Sequence, residues 1–506
     1  MTPGATRTGR DTWRPRLLAA GAGAALALAL PGPGFVPLVL VVPGLLRRAL
    51  SGASGWRAFR LGWLAGFVQW MIAVPWVYIV MHRYGHLHAL LAVLAVILMA
   101  AILGLTWAIA GWGTSTVKES WRVVALPLAL AAFEELQRFP PWIFPWNPAA
   151  AVLTPVAALL APLPVTGAIG LSLLVLLLGS SLDALFTPAL RRTGGVWLTV
   201  TAVVWTGASL LAPRFQPDGE PVKVAALQPN VPLETRWDPA NEGAIESRVW
   251  RLTREAADTG ASWIVWPESA LPRNLERDGG YRSEVEAFAR QRGVWMLISS
   301  IGFGPGEGEY FNSVNAVSPG GVLPWRYDKV HLVPFGEYVP LAGRIAALGA
   351  LVREVGSFTP GTSLLPLPGP AGPTGIAVCY EVTYPSLYAG EIARGAQVLA
   401  TVTNDGWYGD SAAPRQHLAL AILRAAEARR YLVRAANTGI SAVIDPDGRV
   451  VTRLEVNREG FVTAAVRPSS GVTPAVRFGA AIRTGMVLLA AGAIILGARR
   501  RTPPLR

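Results

Sequence analysis

Eight apolar segments constrain this 506-residue chain more than any other feature, at roughly 17–30, 35–46, 61–80, 87–112, 121–136, 164–185, 196–212 and 478–498. A helix needs about 20 apolar residues to cross a bilayer, and six of the segments come close to that length or exceed it. Composition agrees: 52% of the residues are hydrophobic and only 15% are charged, too apolar for an ordinary water-soluble protein. A net charge of +13 raises nucleic acid as a partner class. The basic residues, however, cluster beside the apolar runs, as they do in the cytoplasmic loops of membrane proteins. No nucleic-acid partner is therefore expected. No signal-peptide cleavage pattern is evident, because the first apolar run leads into a second.

Charge decides how the two short leading segments are used. Arg7, Arg10, Arg14 and Arg16 precede the pair, and Arg47, Arg48, Arg57 and Arg60 follow it. Both flanks belong inside, so the pair crosses twice, turning outside at the uncharged Pro31-Gly32-Pro33-Gly34. Alternation then puts Lys118 and Arg122 inside, Arg191 and Arg192 inside, and the exit of the seventh helix near Pro213. The eighth helix returns to the basic tail Arg499-Arg500-Arg501. The expected organisation is a membrane domain over 1–213 with seven helices, an outside domain over 214–475, and a last helix with its tail over 476–506. His82, His86 and His88 share one outside loop, but Gly85 breaks any helix there and no metal site is expected. The aromatic run Phe139 to Trp146 reads as an interfacial belt, or as a platform that holds a lipid near the outside domain.

Beyond Pro213 short strands alternate with amphipathic helices. Strands are expected at Val222–Gln228, Trp263–Trp266, 294–302, Phe311–Pro319, Gly321–Tyr327, 374–378, Gln397–Thr403 and Gly439–Ile444. Helices are expected at 241–258, 281–292, 383–394 and 414–435. This alternation over some 250 residues implies one α/β domain.

Cys379, the single cysteine of the chain, stands at the carboxyl end of the apolar run Thr374–Val378. It cannot form an intrachain disulfide, and Tyr380 and Glu381 give it polar company that an inert core thiol would lack. A nucleophilic thiol needs a base and a positive charge. Three of the 45 Lys and Arg residues are lysine, so a sequence strongly biased to arginine nevertheless keeps Lys329. An ammonium is compact and can titrate when buried, which suits contact with a thiolate or an oxyanion. Glu268 follows the buried strand 263–266 directly, where α/β sheets place their sites.

Trp266-Pro267-Glu268, then Tyr327-Asp328-Lys329-Val330-His331-Leu332-Val333-Pro334-Phe335-Gly336-Glu337, then Cys379-Tyr380-Glu381, resemble the nitrilase superfamily with its Glu-Lys-Cys triad. With seven apolar spans before this region and one after, the chain over 15–498 resembles the bacterial apolipoprotein N-acyltransferase family. The resemblance implies a polytopic helical membrane domain of eight spans carrying an extracytoplasmic αββα sandwich. It implies Glu268 as general base, Lys329 as stabilising cation and Cys379 as nucleophile. Glu337, Tyr380 and Glu381 take supporting places; Trp237, Trp407 and Trp146 take substrate-binding ones. No metal and no cofactor are implied. The implied partners are a phospholipid acyl donor and a diacylglyceryl-modified apolipoprotein acceptor, met by a monomer in the bacterial cytoplasmic (inner) membrane. The implied reaction passes the acyl chain through a Cys379 thioester.

Two other readings use the same residues. A membrane-tethered nitrilase-type amidase shares the triad but needs one span rather than eight. A transporter or scaffold with an outer binding domain would make Cys379 dispensable, and the membrane half shows few of the buried charges such a pathway needs.

Overall fold

The computed structural model describes residues 10–140, 144–236, 238–306, 308–334, 336–338 and 358–499. It divides into two compact units, one built from 1–155, 165–212 and 478–506, the other from 156–164 and 213–477.

The first unit is helical. Each of the eight apolar segments carries helix, but among the described residues four helical stretches are long and apolar enough to cross a membrane: Ala89–Ser115, Leu163–Leu185, Pro188–Leu211 and Gly479–Leu496. A fifth candidate is the pair Gly55–Ala73 and Val77–Tyr84, bent by 63° at Val74–Trp76. The remaining three segments fall short for local reasons. In 35–46, Pro37, Pro43 and Gly44 divide the run into a 3₁₀ turn, Val36–Leu40, and an eight-residue helix, Val42–Ala49. Segment 121–136 forms a 15-residue helix, Glu119–Phe133, and the Arg10–Ala29 helix has Pro15 and charged residues in its first turns.

Apolar side chains such as Leu90, Leu94, Leu98, Val203, Leu488 and Leu489 point outward from these helices. Such faces suit a bilayer rather than water. Inside the unit, small residues let backbones meet: a Cβ on Gly62 would stand 2.4 Å from the carbonyl oxygen of Trp107. The unit also buries more charge than its sequence suggests. Arg47 and Arg122 are 4% and 2% exposed. Arg47 Nε donates to Asp183 at 3.1 Å and Arg122 Nη1 to Glu119 at 2.9 Å. All four residues sit in the first or last turns of their helices, so this is a polar knot at helix ends and not a charged path through the middle.

The second unit stacks two sheets. Strands β1 (Val222–Gln228), β2 (Trp263–Val265), β3 (Trp295–Phe303), β4 (Tyr310–Ser318), β5 (Gly321–Asp328) and β11 (Gly460–Val466) form one, in the order β11-β1-β2-β3-β4-β5. Strands β6 (Thr374–Val378), β7 (Val398–Thr403), β8 (Leu432–Ala436), β9 (Ser441–Ile444) and β10 (Val450–Leu454) form the other, in the order β10-β9-β8-β7-β6. Each sheet runs three strands parallel, β1-β2-β3 and β6-β7-β8, and adds its next two antiparallel. The last strand closes on the first: β11 pairs antiparallel with β1 from Val222↔Val466 to Gln228↔Gly460.

One apolar core lies between the sheets and includes Val224, Val265, Leu297, Ile376, Val378, Val402 and Val433. A second, with Trp250, Val285, Trp266 and Ile298, fills the space between the first sheet and the helices Glu242–Asp258 and Gly279–Arg292. Helices Pro385–Ile392 and Ala413–Ala428 pack on the second sheet. The result is helix, sheet, sheet, helix, the αββα sandwich implied by the resemblance. The long helix expected over 414–435 is two elements: it ends at Ala428, Arg429 turns left-handed at φ 54°, and β8 follows. Strands β10 and β11 were not anticipated from the sequence.

Candidate active site

Glu268, Lys329 and Cys379 each stand just past a strand, after β2, β5 and β6, so the pairing and stacking of the two sheets bring together residues as much as 111 positions apart. All three are buried, at 8%, 1% and 6% exposure. Asn312 of β4 links them: its Nδ2 donates to Glu268 Oε1 at 2.7 Å and to Glu337 Oε1 at 2.9 Å. Glu268 Oε2 accepts from the Asn404 backbone N–H at 3.0 Å. Lys329 Nζ donates to Glu337 at 2.9 Å and lies 4.0 Å from Glu268 Oε1. Glu337 is further held by the Val333 N–H at 2.8 Å. The two carboxylates thus fix the ammonium from two sides.

Burial works to lower the Lys329 pKa, but the Glu337 and then the Glu268 carboxylate overcome it, so this ammonium stays charged across the physiological range. The thiol goes the other way. Burial first, and the Glu268 charge second, push Cys379 up to about 12, with Lys329 pulling against them. Cys379 therefore rests as a thiol. Its backbone is unusual for a non-glycine residue: φ is 53°, in the left-handed region, at the start of the 3₁₀ turn Cys379–Thr383.

Glu381 is fully buried and faces away from solvent into a ring of donors. It accepts from the Tyr327 hydroxyl at 2.9 Å, and from the backbone N–H groups of Val330 at 2.7 Å, His331 at 2.9 Å and Val378 at 2.8 Å. It therefore staples the end of β6 to the chain on both sides of Lys329. Burial pushes its pKa up to about 7, with Lys329 and these donors opposing. Tyr380 is buried with its ring 5.7 Å from that of Tyr384, which stacks on His331 at 4.1 Å.

Of the three tryptophans, Trp407 is 42% exposed, on the turn Asp405–Tyr408 that follows Asn404. Trp146 belongs to the helical unit, where it is 1% exposed and stacks on Phe144 at 5.6 Å. Trp237 lies outside the described residues, as do 141–143 of the aromatic run and Phe335 of the motif around Lys329. Of the three clustered histidines, His82 Nδ1 bonds the Leu87 carbonyl and His88 Nδ1 accepts from the Leu90 N–H.

Two groups of site residues escaped sequence reasoning. Asn312 reads as an ordinary polar position in an alternating strand. Asp405, His417 and Arg434 form a buried cluster behind Cys379. The signals for the cluster were the run Asn404-Asp405-Gly406-Trp407-Tyr408-Gly409, which resembles a loop of the family and contains Asp405, and a histidine inside a largely apolar helix; Arg434 gave none.

Residues 223–473 match the carbon-nitrogen hydrolase family, and residues 22–181 match the apolipoprotein N-acyltransferase N-terminal domain. The chain is 32% identical to an apolipoprotein N-acyltransferase of Geobacter metallireducens, across 97% of this chain and 96% of that one. It is 34% identical to proteins of the same name from Azotobacter vinelandii and Methylococcus capsulatus. These cover 97% and 86% of this chain, and 96% and 87% of their own.

Proposed function

The chain belongs to the apolipoprotein N-acyltransferase family, and from that membership we propose how its buried cysteine carries out lipoprotein N-acylation. The observation that carries the proposal is the placing of Cys379, Glu268 and the doubly held Lys329 just past the ends of strands of the two stacked sheets.

In the first half-reaction Glu268 takes the Cys379 proton as sulfur attacks the sn-1 ester carbonyl of a phospholipid. With a thiol pKa of about 12, thiolate makes up on the order of 10⁻⁵ of the resting enzyme at pH 7, so proton removal accompanies attack. Lys329 and the Tyr380 backbone N–H hold the oxyanion that forms, an arrangement worth about 3–4 kcal/mol per donor. The C–O bond then breaks, and the departing lysophospholipid oxygen takes the proton from Glu268. In the second half-reaction the neutral α-amine of the diacylglyceryl-cysteine attacks the thioester and gives its proton to Glu268. The C–S bond breaks, an amide forms, and the sulfur recovers the proton.

Glu337 and Glu381 act by holding Lys329 and the Cys379 turn. Trp407 and Trp237 are assigned to substrate contact, and Trp146 to shaping the aromatic packing around Phe144. The enzyme is a monomer of the inner membrane with eight crossings, the bilayer thinning locally around the shorter apolar segments. Its boundaries fall at 1–213, 214–475 and 476–506, with the middle part outside the cytoplasm. Water must be kept from the thioester, or the protein would become a phospholipase.

Intact-protein mass spectrometry tests the central step. Phospholipid alone should load one acyl chain on Cys379 and release lysophospholipid, and washed acyl-enzyme should pass that chain to a diacylglyceryl peptide with a free amine. An adduct that never forms, with transfer demanding both substrates together, would replace the thioester by a single displacement.

A further inference from the structure

The second unit buries a set of ionisable groups that the acyl-transfer steps do not use. Asp405, on the turn after β7, is 2% exposed; His417, on the helix Ala413–Ala428, and Arg434, on β8, are both at 0%. Arg434 Nη2 donates to Asp405 Oδ2 at 2.6 Å and approaches His417 Nδ1 at 3.2 Å. Asp405 Oδ1 lies 2.9 Å from His417 Nδ1 and accepts from the Thr403 hydroxyl at 3.0 Å. At the other side of the imidazole, His417 Nε2 is 3.0 Å from the carbonyl oxygen of Cys379. A carbonyl oxygen can only accept, so Nε2 carries a hydrogen and donates it.

That contact falls on a backbone position of the site that needs holding. Cys379 has a φ of 53°, and a non-glycine residue keeps such a conformation only where its surroundings over-determine it. The Thr403 hydroxyl, which bonds Asp405, also lies in hydrogen-bonding contact with the Cys379 thiol. The cluster therefore grips the cysteine twice, by its carbonyl through His417 and by its thiol through Thr403. A buried hydrogen-bonded network of this kind is stiff, because moving one member strands the others in a low dielectric.

We propose that Arg434, Asp405 and His417 form a positioning relay that fixes the left-handed turn at Cys379 and so aims its sulfur between Glu268 and Lys329. None of the three touches substrate; His417 is a positioning residue that acts through the cysteine. The inference rests on Cys379 being the nucleophile.

The test follows acyl loading from phosphatidylethanolamine vesicles by intact-protein mass spectrometry, in single turnover, with wild type as the control for the premise. In His417→Leu the loading rate should fall about 100-fold, the cost of a misplacement of about 1 Å, while half-saturating phospholipid changes less than about twofold. His417→Gln, whose amide nitrogen reaches towards the same carbonyl, should recover much of the loss. Asp405→Asn carries the same test if His417→Leu does not accumulate, and its defect should not add to that of His417→Leu in the double variant. Loading at the wild-type rate by well-folded His417→Leu overturns the proposal. So does an equal fall in the Gln and Leu variants that merely tracks a lower melting temperature. A wild-type enzyme that loads no acyl chain removes the premise, a distinct result that ends both readings.

Discussion

Replacing Glu268 by Gln should disable acyl transfer and yet make Cys379 easier to alkylate. The thiol is pushed from an ordinary 9.0 to about 12, by burial and then by the Glu268 charge. A shift of three units leaves about 1,000-fold less thiolate than a free cysteine has at neutral pH, which converts to about 4 kcal/mol. Iodoacetamide reacts with thiolate only, so the native enzyme should alkylate about tenfold faster for each pH unit between 7 and 10, with no plateau. Poor access would lower the whole curve without changing that slope. Removing a like charge from beside the thiol lowers its pKa by about one unit or more, so Glu268→Gln should alkylate about tenfold faster at pH 8. The same variant loses the general base, and acyl loading should fall by about 10²–10⁴-fold. The assay is alkylation quantified by mass spectrometry over a pH series in detergent, beside single-turnover loading. A plateau near neutral pH would mean a preformed thiolate. Slower alkylation in Glu268→Gln would mean that Glu268 activates the resting thiol, and either result refutes the reasoning.

Lys329→Arg should lose about 10²–10³-fold in transfer while the protein still inserts, because a guanidinium neither fits the slot between Glu337 and Glu268 nor presents a compact charge; steady-state transfer to a diacylglyceryl peptide measures it. Cys379→Ser should abolish the acyl adduct, read by mass spectrometry, without changing melting temperature by more than a few degrees. A reporter active only in the cytoplasm, fused after Pro213, should be silent, and activity there would overturn the double crossing of the first two segments. Asp405 is buried, yet Arg434 and His417 outweigh that burial and hold its pKa at about 2, below its ordinary 3.8. A depressed carboxylate stabilises the fold fully above its unfolded pKa and loses that contribution as pH falls towards the folded one. Melting temperature should therefore drop between about pH 4 and 2 as about 2 kcal/mol is lost, and Asp405→Asn should remove that part of the pH dependence.

Glu268 and Cys379 were legible because each follows a buried apolar run, where α/β sheets place their sites, and Lys329 because a chain biased to arginine kept a lysine there. Glu381 was legible as a neighbour of Cys379 but not as a staple, since its four donors come from Tyr327, Val330, His331 and Val378 and depend on how β5 and β6 are brought together. Asn312 and Arg434 were invisible for a similar reason: a single polar residue on a buried strand has meaning only once its partners, up to 44 residues away, are in place. The strand β8 hid inside an expected helix because Ala, Leu and Arg run through 418–436 without a glycine or proline. The break is made by Arg429, which adopts a left-handed conformation where glycine is usual. Helix existed in all eight apolar segments, but Pro and Gly in 35–46 divided one of them, and hydropathy averaged over a window does not register that.

The pairing of β11 with β1 determines how the second unit hangs from the rest of the polypeptide. At the rung Val222↔Val466 the first and last strands of the unit sit side by side, with their outer ends about 5 Å apart. The incoming and outgoing links, which run on to Arg191–Leu211 and Gly479–Arg499, therefore leave from the same edge of the sandwich. That edge is the amino end of β1, while Glu268 lies past the carboxyl end of β2, which runs parallel to it. The two strand ends that carry these links therefore lie close together. The gap is no wider than a tight turn would bridge. Both links thus leave the sandwich at the end of the parallel strands opposite to Glu268.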